Sequence, residues 1–448
     1  MPHRYPDSHV LYRKFGRDFP AIVRARGSTL WDADGRAYLD GSGGAYVCNL
    51  GHGVDAIADA VHAQMREVAY VTGMQFTTPV LETLASMVAE RAPGDLDKAF
   101  FLTSGADATE AALKVARQHW VARGKPGKHK ILALSPAYHG HTMLALSAGA
   151  RPGYRAIFGD WMVPVVEVPA PYAYRCGCAG AADCPRCTGT ALEAIIAREG
   201  AETIAAFIGE SVGGSSTGAS VPRDGYWRTV RELCSRHDIL WIADEILVGA
   251  GRTGTWTAIE PYGAVPDLMT MGKGISAGYA PLAAVLTSER VLDPIARTGA
   301  GILHAQTYAH TPAMCAAGVA TLRHIDEHDL LARCRTMGTQ LHARLAALAS
   351  HPLVGDVRGK GLLAGIELVA DRATRAPFPR AAGVAERVAD AALAEGLVCW
   401  PNQGCADGTN GDIVCLAPPF VVTERELAEM VARLGRALDR VADAVGVR

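Results

Sequence analysis

From residue 98 to residue 288 the chain alternates short β-rich runs with long amphipathic stretches, and this constrains its fold more than any other feature. The runs are "KAFFLT", "KILALS", "IAAFIGE", "ILWIAD" and "LAAVLTS", apolar along most of their length and short enough to be strands. Strands apolar on both faces must be covered on both faces. Helices between them supply that cover, so the expected architecture is α/β with a mostly parallel sheet. Such sheets place ligand sites at the carboxyl ends of their strands.

The two ends of the chain read differently. Near the start, apolar residues flank Asp34-Gly35 in "LWDADGRAYLD", a hairpin signal, and a glycine-rich turn leads towards His52. After about residue 315, helical stretches surround "GDVRGKGLLAGIELV", which reads as a strand pair. The last helix opens with a capping box, Thr423 and Glu426, and carries one apolar stripe from Leu427 to Val445. The expected division is a large α/β domain over 61–315 and a smaller α+β domain over 316–448, to which residues 1–60 contribute.

A formal net charge of -2 gives no electrostatic reason to expect nucleic acid or an anionic membrane as partner. The first twenty residues show no apolar signal-like core, and no run of eighteen apolar residues occurs. A cytoplasmic protein is the expectation. Most of the eleven cysteines are scattered singly, as suits small core residues in a reducing compartment. The exception is "YRCGCAGAADCPRCTG", where Cys176, Cys178, Cys184 and Cys187 have zinc-compatible spacing or form a surface insertion with reduced thiols. A cluster this far from the other motifs would staple a loop. No metal is assigned to the chemistry.

That chemistry is carried by four other stretches. In "FFLTSGADATEAALKVAR" a strand ends at Ser104-Gly105-Ala106 and a helix starts at once, which suits either a phosphate or a plain helix cap. In "LWIADEILVGAGRTG" a buried strand runs into Asp244 and Glu245, carboxylates that need a cationic partner, with Arg252 available as one. In "MTMGKGISAGYAP" Lys273 stands between glycines beside an apolar run, where partial burial would leave a neutral amine able to attack a carbonyl. In "SPAYHGHT" Tyr138 and His139 follow a strand, and an aromatic ring there can stack on a flat ligand. A phosphate cup, a buried carboxylate, a nucleophilic lysine and a stacking aromatic are together what pyridoxal 5′-phosphate requires.

The chain resembles the class III (ω-type) aminotransferases of the fold-type I pyridoxal-phosphate enzymes almost from end to end. The likeness is carried by "LWDADGRAYLDGSGG", "TSGADATEAALKVAR", "YHGHT", "ADEILVGAGRTG", "PDLMTMGKGISAGYAPLAAV", "HAQTYAHTPAMCAAG" and "VRGKGLLAGIEL". The resemblance implies a ping-pong transfer of an amino group from an amine or amino acid donor to a keto acid. It makes Lys273 the Schiff-base lysine and proton carrier, and Asp244 the partner of the pyridinium nitrogen. Ile246 would back the ring opposite Tyr138, and Ser104, Gly105 and Ala106 would hold the phosphate with His139 close by. Thr307 would reach the phosphate of a neighbouring subunit, implying a homodimer with shared sites, and Tyr46 would face the substrate.

The departures concern the substrate. Family members acting on α-keto acids often carry an arginine where this chain has Cys415, paired with the glutamate matching Glu210. Here Glu210 is present, in "GESVGGSSTG", and that arginine is not. Either Glu210 faces a substrate ammonium or hydroxyl group, or Arg252 or another arginine replaces the missing partner. A decarboxylase or aminomutase on the same fold would keep every cofactor residue, and a non-catalytic cofactor-binding module is the reading from another class. A dinucleotide-binding reading fails, because no G-x-G-x-x-G follows the first strand of the α/β region.

Overall fold

Seven strands form the central sheet, and five of them are the runs marked out by apolar patterning. In the computed structural model, which describes residues 3–149, 151–178 and 180–447, these strands are β1 (Lys98–Leu102), β2 (Lys130–Ser135), β3 (Val166–Pro169), β4 (Ile204–Glu210), β5 (Leu240–Asp244), β6 (Leu268–Met271) and β7 (Ala283–Thr287). Their order across the sheet is β1-β7-β6-β5-β4-β2-β3, with only β7 antiparallel to its neighbours. The mostly parallel sheet is therefore as expected.

The two strands that patterning passed over are β3 and β6. The first is four residues ending in a proline, at the sheet edge where a missing N–H is tolerated. The second, "LMTM", is methionine-rich, and its strand character comes from its place between β5 and β7.

Helix α1 (Gly105–Ala122) follows β1 after a two-residue connection and lies across the sheet. Its buried face is Ala108, Ala111, Ala112, Val115 and Ala116, small enough for close approach, and Trp120 anchors its end by donating from Nε1 to the Ala205 carbonyl at 2.7 Å. Since α1 starts at the carboxyl end of β1, its N-terminal turn points to the same edge of the sheet as the ends of β4, β5 and β6.

The chain ends meet in a second sheet. Thr29–Asp32 and Ala37–Asp40 form the hairpin marked by Asp34-Gly35, and Leu397–Val398 joins it parallel to Ala37–Asp40. A third sheet pairs Val354–Lys360 with Leu363–Leu368, as expected, and adds Asp412–Leu416 and Trp400–Gln403. The final helix, α2 (Glu424–Val445), has both halves of its capping box, and Leu427, Met430, Leu434, Leu438 and Val441 are buried. Among the described residues no helix is long and apolar enough to cross a membrane.

Candidate active site

Three adjacent parallel strands end side by side at one edge of the central sheet. The register of β4, β5 and β6 sets Glu210 beside Asp244 and Asp244 beside Thr270, three residues before Lys273. Parallel pairing thus gathers two carboxylates and an amine from positions far apart in the chain. Such a group is costly to bury unless its members satisfy one another.

Asp244 is buried, and its partner is His139. The imidazole donates from Nδ1 to Asp244 Oδ2 at 2.6 Å, while Oδ1 accepts from the Ile246 amide at 3.0 Å. Burial by itself would lower the imidazole pKa. The hydrogen bond and charge of Asp244, with the charge of Glu210, outweigh it and hold His139 above its ordinary value. His139 Nε2 is buried with no partner among the described residues.

Lys273 has a positive φ of 46°, a costly conformation for a residue with a side chain. It is held there by its surroundings. A Cβ on Gly274 would stand 2.2 Å from the Asn49 amide nitrogen, so the residue after the lysine must be glycine. Loss of hydration lowers the Lys273 pKa, and the opposing pull of Asp244 and Glu210 does not restore it. The lysine expected to be unusual from its neighbours is unusual in backbone and in environment.

The expectation for Arg252 is overturned. Its guanidinium is fully buried and donates to the carbonyls of Leu362 and Pro418 at 3.0 and 2.6 Å and to the Asn49 side chain, making no ion pair with Asp244, Glu245 or Glu210. Glu245 is instead satisfied by the Ala258 and Ile259 amides at 2.9 and 2.8 Å, which close a loop. Glu210 accepts one bond, from the Gly214 amide at 3.0 Å, and burial raises its pKa to about 7. Among the described residues no arginine or lysine lies within ion-pair distance of it.

At the start of α1, Ser104 is a true cap, its Oγ accepting from the Asp107 amide at 3.2 Å. The cap takes one of the helix's free donors, and the Gly105 and Ala106 amides make no hydrogen bond among the described residues. A Cβ on Gly105 would stand 2.9 Å from Ile246, so glycine lets this turn and the segment after Asp244 close together. Thr109 Oγ1 donates to the His139 carbonyl at 3.0 Å, tying α1 to the Tyr138 segment. Tyr138 is half-buried, with the Arg151 guanidinium 5.1 Å from its ring centre.

Tyr46 and Thr307, also expected at the site, make no hydrogen bond to Lys273 among the described residues. Tyr46 is buried, has a φ of 64°, and packs beside Trp400 with ring centres 5.6 Å apart; its hydroxyl lies near Cys415 and Asn402. It therefore abuts the position where an arginine was missed. Thr307 is exposed, and its carbonyl accepts from Tyr70 Oη at 2.9 Å. Its neighbour Gln306 bridges the Thr103 amide and Asp107 at 3.0 and 2.7 Å, so this segment reaches the first turn of α1 within one chain.

Arg151 is the residue that sequence reading missed. It donates to Ser215 and Ser216 at 3.1 and 2.7 Å, just beyond Glu210 in the chain, while lying over Tyr138. Nothing in "SAGARPGY" marks it, because its partners Ser215 and Ser216 lie more than sixty residues further along the chain. Two cavities, of about 570 and 580 Å³, lie elsewhere: neither is lined by Lys273, Asp244 or Glu210.

Residues 14–438 match the profile of the class-III aminotransferase family. An (S)-enantioselective ω-transaminase from Thermomicrobium roseum superposes with a TM-score of 0.91 at 35% identity, covering 97% of both chains. The ω-transaminase of Pseudomonas jessenii, in complex with PMP, superposes with a TM-score of 0.90 at 31% identity and 98% coverage of both. The putrescine–pyruvate aminotransferase of Pseudomonas aeruginosa is 32% identical over 433 residues, 95% of this chain and 91% of that protein. A lysine, two carboxylates and a capped helix start converge on an α/β frame shared along nearly the whole chain, and this protein belongs to the class III aminotransferases.

Proposed function

We propose that this aminotransferase carries pyridoxal 5′-phosphate on Lys273 and uses it to move an amino group from an amine donor bearing a second polar group to a keto acid. The observation that carries the reading is the buried Asp244–His139 pair one strand away from a strained, desolvated lysine. The cofactor, when bound, supplies a ring that takes up the electrons left as a carbon–hydrogen bond breaks. The residues fit such a group: the unpaired amides of Gly105 and Ala106 suit a phosphate, and Ile246 and Tyr138 suit the two faces of a ring. Asp244 would keep a ring nitrogen protonated, with His139 holding the carboxylate in place. Lys273, neutral more readily than an ordinary lysine, would take and return the proton. Donor and acceptor would use the same pocket in turn.

For the substrate, Glu210 is a buried carboxylate with one hydrogen bond and no ion pair among the described residues, which favours a donor carrying a second ammonium or a hydroxyl group. The similar Pseudomonas aeruginosa enzyme, named for putrescine and pyruvate, supports a donor of that class. Arg151, held by two serines beside Glu210, would take the acceptor carboxylate. Steady-state rates with a monoamine, a diamine and a keto acid test both assignments. Glu210→Gln should cost the diamine roughly 10- to 100-fold in kcat/KM and the monoamine much less. In the wild type the diamine-to-monoamine ratio should rise as pH passes about 7, where Glu210 loses its proton, and it should be flat in the variant. Equal loss on both amines would sink the Glu210 assignment. Arg151→Gln should raise the acceptor KM by roughly 10- to 100-fold and leave the amine half-reaction intact; an unchanged KM removes Arg151 from the acceptor site.

The same reading makes the protein a homodimer in which Thr307 serves the partner's phosphate site. Met74 and Leu303 are exposed at 91% and 75%, Phe76 and Tyr308 are also exposed, and the Tyr70 and Tyr308 rings meet edge-on beside Thr307. Apolar surface gathered this way is the mark of a partner surface. Sedimentation should show two chains per particle, and Leu303→Glu should yield single chains with little activity. A single-chain form with full turnover would rule out shared sites. The large domain of 61–315 and the smaller domain from both chain ends belong to this proposal, supported by the parallel pairing of Leu397–Val398 with Ala37–Asp40. So does a cytoplasmic location, in keeping with eleven unpaired cysteines.

A further inference from the structure

We propose that Cys176, Cys178, Cys184 and Cys187 bind one structural zinc ion, which pins the 171–190 segment against the substrate side of the enzyme. The transamination chemistry does not use these cysteines, and the metal would be additional to it.

The geometry is that of a four-thiolate site. All four sulfurs lie within 4.8 Å of one another, with Cys176 and Cys184 3.2 Å apart and Cys178 and Cys187 3.7 Å apart. Zinc at about 2.3 Å from each of four sulfurs sets them about 3.8 Å from one another at tetrahedral angles. Four sulfurs converging from two short motifs, five residues apart in the chain, gain little by packing on one another alone. Cys184 starts the one-turn helix Pro185–Thr188, and that turn returns Cys187 to the same point. Cys187 is buried and the other three are half-buried, so the cluster is closed on one side and reachable from the other.

The surroundings suit the charge such a site would carry. Four thiolates around Zn²⁺ leave two negative charges, which need donors. Arg223 supplies one, its Nη2 standing 3.9 Å from Cys178 Sγ. Arg223 also donates to the Ala181 carbonyl at 2.6 Å, so it holds the loop between the two motifs as well. Donors around the first ligands are what keep a metal site in shape.

The segment thus stapled leads to the site. Arg175 Nε donates to the buried Glu367 at 2.6 Å, and Tyr172 donates its hydroxyl to the same carboxylate. Arg358 joins them at 2.8 Å from Glu367 and also donates to the Thr217 carbonyl at 2.6 Å. Thr217 belongs to the loop whose Gly214 amide satisfies Glu210. The zinc would hold one end of that chain of contacts.

Metal analysis of the wild-type protein, purified without chelators, tests the proposal directly. The expected result is about one zinc per chain, and an organomercurial that caps the thiols should release it to a colorimetric indicator. Titration of the denatured protein, with chelator and without reductant, should count all eleven thiols. Cys184→Ser combined with Cys187→Ser should lose the zinc while pyridoxal phosphate binding, read by visible absorption, persists. If that variant fails to fold, the wild-type metal and thiol counts decide the question. Zinc well below stoichiometric, iron in its place, or a thiol count short by the four clustered cysteines through disulfide pairing would each overturn it. Loss of the cofactor band in a wild type that still holds zinc would count against the cofactor reading alone.

Discussion

Lys273→Ala should abolish transamination, lowering turnover by at least about 10⁴-fold, while the protein still folds. On the proposed reading the lysine has two tasks, carrying the cofactor and moving the proton. Lys128, the other lysine depressed by burial, donates to three carbonyls at 2.7–3.1 Å near β4 and the end of β5's leading turn. Stability should change little. The substitution removes a desolvated amine and relieves the cost of its burial, and Asp244 keeps His139 as partner. Its positive φ persists in alanine, so the backbone gains no relief. Donor turnover and thermal unfolding monitored together provide the check. A variant that retains a substantial fraction of wild-type turnover would show that Lys273 is not the reacting amine.

Asp244→Asn should be the next most damaging change. The carboxylate is buried, so its charge acts at close range with little screening. Removing one partner of a buried charged pair costs about 3–5 kcal/mol, roughly 10²- to 10⁴-fold if it falls on the transition state. His139 supplies a second readout. Without the Asp244 charge, burial dominates and the imidazole pKa should drop below its ordinary value, which NMR titration of the ring would detect. The sign for stability follows. Because the folded pKa of His139 is raised, its pairing contributes stability that is complete below the unfolded pKa of 6.5 and is lost as pH rises through the folded value. In the variant, where burial lowers the folded pKa below 6.5, that slope should reverse, with stability lost as pH falls. Full activity in Asp244→Asn would break the link between this carboxylate and the cofactor ring, whatever happened to His139.

These two predictions rest on residues at the ends of neighbouring strands, and that placement divides what was legible early from what was not. The runs that became β1, β2, β4, β5 and β7 were readable because a strand buried on both faces must be apolar along its length. Lys273 was readable because a lysine between glycines beside an apolar run has no ordinary reason to be there. The capping box of α2 and the hairpin at Asp34-Gly35 are local hydrogen-bonding patterns written in adjacent residues. The short strands β3 and β6 were not readable, since neighbours rather than propensity make them strands.

The sequence by itself determined the α/β frame, the lysine, and the carboxylates that end buried strands, because burial and local hydrogen bonding constrain residue type directly. Only the tertiary structure decided who pairs with whom. Arg252 and Asp244 are eight residues apart, yet the arginine turns to backbone carbonyls and Asn49. Asp244 takes a histidine 105 residues away. Arg151 reaches the Glu210 loop from a different part of the chain, and Glu210 is left with a single amide. Charge attraction is weakly directional and acts through space, so sheet register and loop path choose its partners, and neither is written in the spacing of residues along the chain.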